Sequence, residues 1–326
     1  MRFGFGPEQL ELRDAVRSLL SGSFPPARLQ EAWSAPPGEL DRTIWLELAD
    51  MGVFDVLVPA GLGGLGLDWC SLILLLEECG RAGLPHPVVE TAAVAAPMPG
   101  VVMTHGEMMS VSMAGEPAAC GRDADSVLIE RGDGLWVLPA FATRGRLLQS
   151  VDRARRLLAL DDGLPDDARL VARGRDVVDE AANRFALGTA AQLIGLSRAM
   201  LDLTVTYVAD RRQFGVPVGS FQAVKHRLAD SLKELSFAQP VVYRAAWSLS
   251  VSDPDAAVHV SAAKAMAGEA ACLVAEAALQ CHGAIGYADE YPLHRLMKRV
   301  WALSRSCGSS GWHRARVGRY LQQAPL

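Results

Sequence analysis

The sequence predicts a mostly α-helical protein with a small β insert. Hydrophobic residues make up 50% of the 326 residues but aromatic residues only 6%, and the abundance of Ala and Leu favours helix. Apolar residues follow a helical period in the first and last parts of the chain, whereas the middle holds short apolar runs separated by turn residues. We therefore expect a helical N-terminal domain (1–100), a shortened β domain (101–176) and a C-terminal helical bundle (177–326).

Charge and cysteine pattern narrow the class of protein. The net charge of −5 with 21% charged residues argues against intrinsic disorder and against a dedicated nucleic-acid binder. The six cysteines form no C-x-x-C pair, which predicts reduced thiols and no metal site. No uninterrupted apolar run reaches the ~20 residues of a membrane-spanning helix. We expect a cytoplasmic protein without nucleic-acid or membrane partners.

The N-terminal domain shows clear helix signals. Apolar residues at positions 12, 16, 19 and 20 share one face of a helix. Ser71–Arg81 predicts a second helix that ends near Gly83. Between them, Gly61–Gly66 matches G-x-G-x-x-G, but the acidic residues that follow lie inside the second helix and no parallel strand comes next. We interpret these glycines as a structural loop.

The middle domain contains four predicted strands. They are Ser110–Met113, Ser126–Glu130, Leu135–Leu138 and Leu157–Leu160. Five arginines lie around the last strands, at positions 144, 146, 153, 155 and 156. Given the acidic overall balance, we interpret them as a solvated strand face, with an anion site as the alternative.

The C-terminal domain returns to helical patterns. An apolar stripe of helical spacing runs through Phe221, Val224, Leu228, Leu232 and Leu235. Asp253-Pro254 predicts the start of another long helix, which continues through Ala278.

Two C-terminal segments carry candidate chemistry. Asp210–Gly215, followed by Ser220–Gln222, places arginines and an aromatic residue where a helix ends, and these could bind a pyrophosphate and the edge of a flat cofactor. On local chemistry alone, arginines that merely complement the helix dipole are an equal alternative. Gln280–Tyr287, followed by Glu290–Pro292, combines a hydrogen-bonding amide with two glycines, although an ordinary glycine-terminated helix explains it better alone.

Together these segments resemble the acyl-CoA dehydrogenase family. The family signatures are R-x-x-F-G, Q-x-x-G-x-x-G-[YF]…E-Y-P, V-P-x-x-x-G-G-x-G and L-E-E-x-G-R, and they appear here as Arg211–Gly215, Gln280–Pro292, Val58–Gly66 and Leu76–Arg81. Their order and spacing hold across nearly the whole chain.

The resemblance implies a fold, a cofactor and a reaction. The fold would be an N-terminal helical domain, a reduced middle β-barrel domain and a C-terminal four-helix bundle. The cofactor would be FAD and the substrate a CoA thioester, from which a carboxylate removes the α-proton while the β-hydride goes to the flavin. The implied cofactor-binding residues are Arg211, Phe214, Gln222, Gln280, Gly283 and Ala284.

The departures from the family concern the catalytic base and the flavin-ring segment. Cys307 aligns with the usual catalytic glutamate, and Phe185 aligns with the position on an earlier helix that some members use. Cys307, His313 and Glu180 are the remaining base candidates, and none matches the task well. The T-E-P-x-A-G-S-D segment is only echoed, by Gly115–Ala119.

These losses suggest a division of labour. In the family, the arginine and glutamine signatures reach across an interface to the neighbour's FAD, whereas the β domain and the base serve the subunit's own FAD. The chain therefore resembles the smaller, base-lacking subunit of actinobacterial heteromeric (α2β2) acyl-CoA dehydrogenases, whose substrates include sterol side-chain CoA thioesters. The alternatives are a self-sufficient homo-oligomeric dehydrogenase with an unusual base, a redox-inactive scaffold or acyl-binding protein, and a non-redox lyase.

Overall fold

The computed structural model describes residues 4–323, and its first part is helical. The helices are α1 (Pro7–Ser23), α2 (Pro26–Ser34), α3 (Thr43–Asp50) and α4 (Trp69–Arg81). Helix α4 begins where the Asp68 carboxylate accepts a hydrogen bond from the backbone N–H of Ser71 at 3.0 Å, and the chain leaves it through Gly83 at φ +68°. A buried π-helical segment, Val89–Ala95, leads into the middle region.

The middle region is a small β structure. Its strands are β1 (Met109–Ser112), β2 (Ser126–Arg131), β3 (Gly134–Pro139), β4 (Gly145–Leu147), β5 (Leu158–Leu160) and β6 (Arg169–Arg173). One sheet has the order β1-β2-β3-β6, in which β1 and β2 are parallel and the other pairs antiparallel, and β4 pairs with β5 in a second sheet. The four predicted strands are present, and β4 and β6 are additions.

The C-terminal region is a bundle of long helices. These are α5 (Arg175–Asp210), α6 (Gln222–Ser250), α7 (Ala256–His282), α8 (Leu293–Arg305) and α9 (Ser310–Gln323). A short hairpin of β7 (Arg212–Gln213) and β8 (Val216–Pro217) connects α5 to α6. Helix α6 carries Pro240 in its interior. The predicted fold class, mostly α with a small β insert, is confirmed.

Helices α4 and α5 touch at two glycines, which joins the N-terminal region to the bundle. A Cβ on Gly195 of α5 would lie only 1.9 Å from the backbone oxygen of Glu77. A Cβ on Gly80 of α4 would lie 2.4 Å from the backbone oxygen of Gln192. Only a residue without a side chain permits this backbone approach. The core of the molecule is continuous across this contact.

Two local predictions need correction. Helix α7 begins at Ala256 and not at Asp253, whose carboxylate instead accepts the backbone N–H of Asp255 in the preceding turn. The arginine group is not one solvated face, because Arg155 and Arg156 are buried. Both side chains are buried beside charged or polar partners. One partner of Arg156 is Asp123, with which it forms a buried ion pair at 3.1 Å.

Among residues 4–323, one helix is long and apolar enough to cross a membrane, judged by length and composition. It comprises α7 and the short turn after it, and 56% of its most apolar window is buried inside the fold. Helix α7 packs between α5, α6, α8 and α9, and its central small residues are covered by those helices. Its apolar character is therefore explained by its place in the bundle.

Candidate functional site

All six predicted cofactor-binding residues lie on the surface of one end of the bundle. Arg211 follows the last residue of α5, Phe214 forms the tip of the β7–β8 hairpin, and Gln222 opens α6. The other three, at positions 280, 283 and 284, lie at the end of α7 and in the turn after it. All six are exposed. Within residues 4–323, the side chains of Arg211, Gln222 and Gln280 make no hydrogen bond or ion pair.

Aromatic packing holds the two signature segments side by side. The ring of Tyr207, one turn before the end of α5, stacks on His282 at the end of α7, with ring centroids 4.3 Å apart. The Nε2 atom of His282 lies 3.0 Å from the hydroxyl of Tyr291. The end of α5 and the end of α7 thus form one rigid platform, and Arg211 and Gln280 project from its two parts.

The backbone of this surface is open where the sequence predicted close approach. Gly283 has φ +64°, and an added Cβ there would meet nothing within 4 Å. Phe214 also has a positive φ, +53°, which is uncommon for an aromatic residue, and its side chain is 92% exposed. The hairpin holds an aromatic ring out into the solvent, 6.2 Å from the ring of Phe221.

Large apolar side chains surround the six residues. The exposed ones on the elements that carry these residues include Phe214, Val216, Phe221, Leu232, Ile285 and Tyr287. The apolar stripe predicted on α6 is real, but only Leu235 of its five members is fully buried. The first half of α6 therefore shows an apolar face that its own chain does not cover. Exposed apolar surface of this kind is typical of protein–protein contacts.

The second candidate region is the junction between the middle region and the bundle. Its polar side chains are paired with other groups of the chain and are not left free in solvent. Cys307 lies there, in the turn between α8 and α9, and its backbone N–H donates to the carboxylate of Glu116 at 2.7 Å. The Ser306 hydroxyl donates to the other oxygen of the same carboxylate at 2.8 Å. Arg155 donates to the oxygen of that hydroxyl at 3.2 Å. The junction is occupied by the chain's own charged and polar groups.

A buried lysine supports the same turn from the bundle side. The Nζ of Lys264, on α7, donates to the carbonyls of Ser304 at 3.3 Å and Gly308 at 3.1 Å, and the side chain is 0% exposed. Burial lowers the pKa of Lys264 to about 8. His313, on α9, contacts the carbonyl of Cys307 through Nε2 at 2.8 Å.

None of the three remaining base candidates is poised to accept a proton. Burial raises the pKa of the Cys307 thiol to about 12, and the nearby Glu116 carboxylate adds to the shift, so the thiol stays protonated at neutral pH. Burial lowers the pKa of His313 to about 4, which makes it a weak base. Glu180 lies on the surface of α5 in an ion pair with Arg184. Phe185, at the alternative base position, is buried in the core.

Sequence reasoning missed the residues that close the junction. In the sequence, Glu116 belongs only to a weakly matched motif and Lys264 to none. A lysine inside the apolar run of α7 was the available signal, since a charged residue on a buried helix face requires a partner.

Two family models match the amino-acid sequence, one over the N-terminal region and one over the C-terminal bundle. The acyl-CoA dehydrogenase N-terminal domain matches residues 6–108, and the acyl-CoA dehydrogenase C-terminal domain matches residues 172–322. The acyl-CoA dehydrogenase IpdE2 of Mycobacterium tuberculosis is 30% identical over 304 residues, which cover 90% of this chain and 91% of IpdE2. The chain belongs to the acyl-CoA dehydrogenase family.

Solved structures of acyl-CoA dehydrogenases share the fold. A chain of the ChsE4–ChsE5 complex from Mycobacterium tuberculosis superposes with a TM-score of 0.87 at 23% identity, covering 100% of both chains. A chain of the Tcur3481–Tcur3483 steroid acyl-CoA dehydrogenase superposes with a TM-score of 0.82 at 23% identity, and the match covers 97% of this chain and 98% of that chain. The predicted enzyme class, an oxidoreductase acting on the CH–CH group of acyl-CoA, is confirmed by the family.

Proposed function

We propose that this chain is one subunit of an FAD-dependent acyl-CoA dehydrogenase and that it completes the FAD site of a homologous partner subunit. The observation that carries the proposal is the contrast between the two candidate regions. The six residues at the end of the bundle are exposed, and the three longest polar side chains among them have no partner in the described part of the chain. The junction, where the family's base would act, is filled by Glu116 and Arg155.

The exposed residues fit the adenine and pyrophosphate end of FAD. The Arg211 guanidinium can donate two parallel hydrogen bonds to a pyrophosphate, and the amides of Gln222 and Gln280 can both donate and accept. Gly283 leaves the backbone free for a ligand to approach, and Ala284 beside it is exposed. FAD, when bound, supplies the acceptor for the hydride removed from the substrate.

The apolar surface around these residues supports a protein partner. A stable interface buries about 1,200–2,000 Å² and is centred on large apolar and aromatic residues. The hairpin, the first half of α6 and the turn after α7 together present such residues. We propose that the partner has the same fold and packs by pseudo-twofold symmetry, giving an α2β2 assembly, for which the similarity to a chain of the ChsE4–ChsE5 complex is further support.

We further propose a steroid-derived CoA thioester as the substrate of the complex. The support is the similarity to the Tcur3481–Tcur3483 steroid acyl-CoA dehydrogenase. The catalytic carboxylate would belong to the partner, because Cys307 and His313 of this chain are unsuited to accept the α-proton at neutral pH. This chain's residues would hold the cofactor of the partner and exclude water from it.

The test is visible absorbance at the flavin band, measured first on the chain alone and then on the chain co-expressed with the product of the neighbouring gene. We expect a colourless chain and a yellow complex. Arg211→Ala should then remove the flavin from the complex, whereas Arg146→Ala, which replaces an exposed arginine of the middle region, should leave it yellow.

Other outcomes select among the alternatives. A chain that is yellow alone, and whose flavin is bleached by acyl-CoA, would be a self-sufficient dehydrogenase. A complex that forms but stays colourless would indicate a redox-inactive scaffold. Either result would refute the proposed division of labour.

A further inference from the structure

The turn between α8 and α9 has an unusual backbone. Cys307 has φ +56°, and Gly308 follows with φ +90°. A non-glycine residue in the left-handed region costs about 1–3 kcal/mol and persists only where its surroundings impose it. The surroundings here are Glu116 on one side of the turn and Lys264 on the other. The turn Ser306–Gly308 is therefore held in place by charged groups from two other parts of the fold.

The side of the turn that faces the middle region is a pair of converging donors. The backbone N–H of Cys307 and the hydroxyl of Ser306 each donate to a different oxygen of the same carboxylate, at 2.7 and 2.8 Å. Hydrogen bonds to an ionised acceptor are about twice as strong as those between neutral groups. Two donors spaced to match the two oxygens of a carboxylate form a site for that chemical group.

Cations around the turn favour an anion at this position. Arg155 is buried and donates to the same hydroxyl, at 3.2 Å. Lys264 is fully buried on the opposite side of the turn, where it holds the carbonyls of Ser304 and Gly308. In an interior of low dielectric these charges interact with an anion more strongly than they would in water.

We propose that the turn Ser306–Gly308 is a carboxylate-binding site that the chain fills with its own Glu116. Glu116 thereby acts as an internal ligand that closes the junction between the middle region and the bundle. The site accepts the carboxylate of a small organic acid when Glu116 is removed. This goes beyond the proposed function, and its test does not depend on flavin or on a partner.

The test is rescue of Glu116→Ala by acetate. The substitution removes a CH2–COO⁻ unit, which corresponds to acetate in size and charge. The full-length variant is melted in sodium acetate and in sodium chloride of equal ionic strength. We expect a lower Tm than the wild type in chloride, and recovery by about 3 °C or more in acetate. Formate should act likewise, and neutral acetamide should have less effect.

Two further variants serve as controls. Glu130→Ala removes a neighbouring carboxylate that accepts a backbone N–H, that of Ala114 at 2.7 Å, but that does not contact the turn. Glu116→Gln keeps the site filled with a neutral group of the same size. Neither should be stabilised by acetate beyond the wild type.

The proposal is overturned if acetate stabilises Glu116→Ala no more than it stabilises Glu130→Ala and the wild type. If Glu116→Ala does not accumulate in folded form, the soluble yield after refolding in acetate and in chloride replaces the melting temperature. Glu116→Gln is then the folded reference. Equal yields in the two salts would overturn the proposal as firmly as equal melting temperatures.

Discussion

The end of the bundle and the junction contain the same kinds of side chain in opposite surroundings. At the end of the bundle, Arg211 and Gln280 extend into solvent with no partner in the described part of the chain. At the junction, the turn between α8 and α9 donates a hydrogen bond to Glu116 and accepts hydrogen bonds from Arg155 and Lys264. Both of these cations are buried. Polar groups that are satisfied internally serve the fold, whereas polar groups left exposed on a rigid platform are available to another molecule. The two regions therefore do different work.

The largest expected difference between the two regions is in the free energy of unfolding when an arginine of each is replaced by alanine. Arg299, on α8, is 4% exposed and donates to Asp152 at 2.9 Å and to the carbonyl of Leu84 at 2.6 Å. Arg299→Ala leaves the Asp152 carboxylate buried without its cation and should lower the free energy of unfolding by about 3–5 kcal/mol. Arg211→Ala should change it by less than about 0.5 kcal/mol.

Urea denaturation of the chain alone measures both effects. The comparison fails if Arg211→Ala destabilises the isolated chain as much as Arg299→Ala does, because Arg211 would then serve the fold. The assignment of Arg211 to a partner's site would lose its basis.

A substitution on α6 should weaken the complex without affecting the chain. Leu232 is 44% exposed and lies on the uncovered face of α6, so Leu232→Asp places a charge in the proposed interface at little cost to the isolated fold. We expect at least tenfold weaker association with the partner, or about 1.4 kcal/mol, measured by sedimentation of the mixed subunits.

Phe141→Asp is the matched control, because Phe141 is 82% exposed on the middle region. It should leave association unchanged. If both substitutions weaken the complex equally, the interface is not confined to the end of the bundle.

The smallest expected effect concerns a buried carboxyl in the α4–α6 contact. Burial raises the pKa of Glu77 from 4.5 to about 8, although Tyr243 and Gln239 donate to it at 3.0 and 3.2 Å. The folded chain keeps this proton between pH 4.5 and 8, whereas the unfolded chain loses it. The free energy of unfolding therefore falls as pH rises through this window, by at most about 1.4 kcal/mol per pH unit.

Urea denaturation of the wild type and of Glu77→Gln at pH 6.5 and pH 8 isolates the contribution of Glu77, because the histidines whose pKa is lowered and Lys264 titrate alike in both proteins. Glu77→Gln keeps the hydrogen bonds but cannot ionise, so its stability should fall less than that of the wild type over this interval. Identical pH dependence in the two proteins would show that Glu77 is ionised in the fold.

Local signals predicted the end of the bundle well and the junction poorly. Arg211 and Phe214 belong to one short signature, and the helix that follows them, α6, is indicated by the spacing of its apolar residues. The contact between Glu116 and Cys307 joins residues 191 positions apart, and no local pattern encodes it. The burial of Arg155 is likewise hidden in the sequence, because arginines clustered around short predicted strands have the pattern of an exposed edge until their partners are known.

The glycine contact between α4 and α5 also determines where the molecule can adapt. Backbones that touch at Gly80 and Gly195 cannot slide past one another, since any shift would bring atoms already in contact into overlap. Helices α4 and α5 therefore keep a fixed relative position. A proline in a helix interior removes a backbone hydrogen bond and provides a bending point, and Pro240 stands just after the uncovered half of α6. The first half of α6 could then tilt at Pro240 to fit the surface of a partner, while the other helices of the bundle keep their positions.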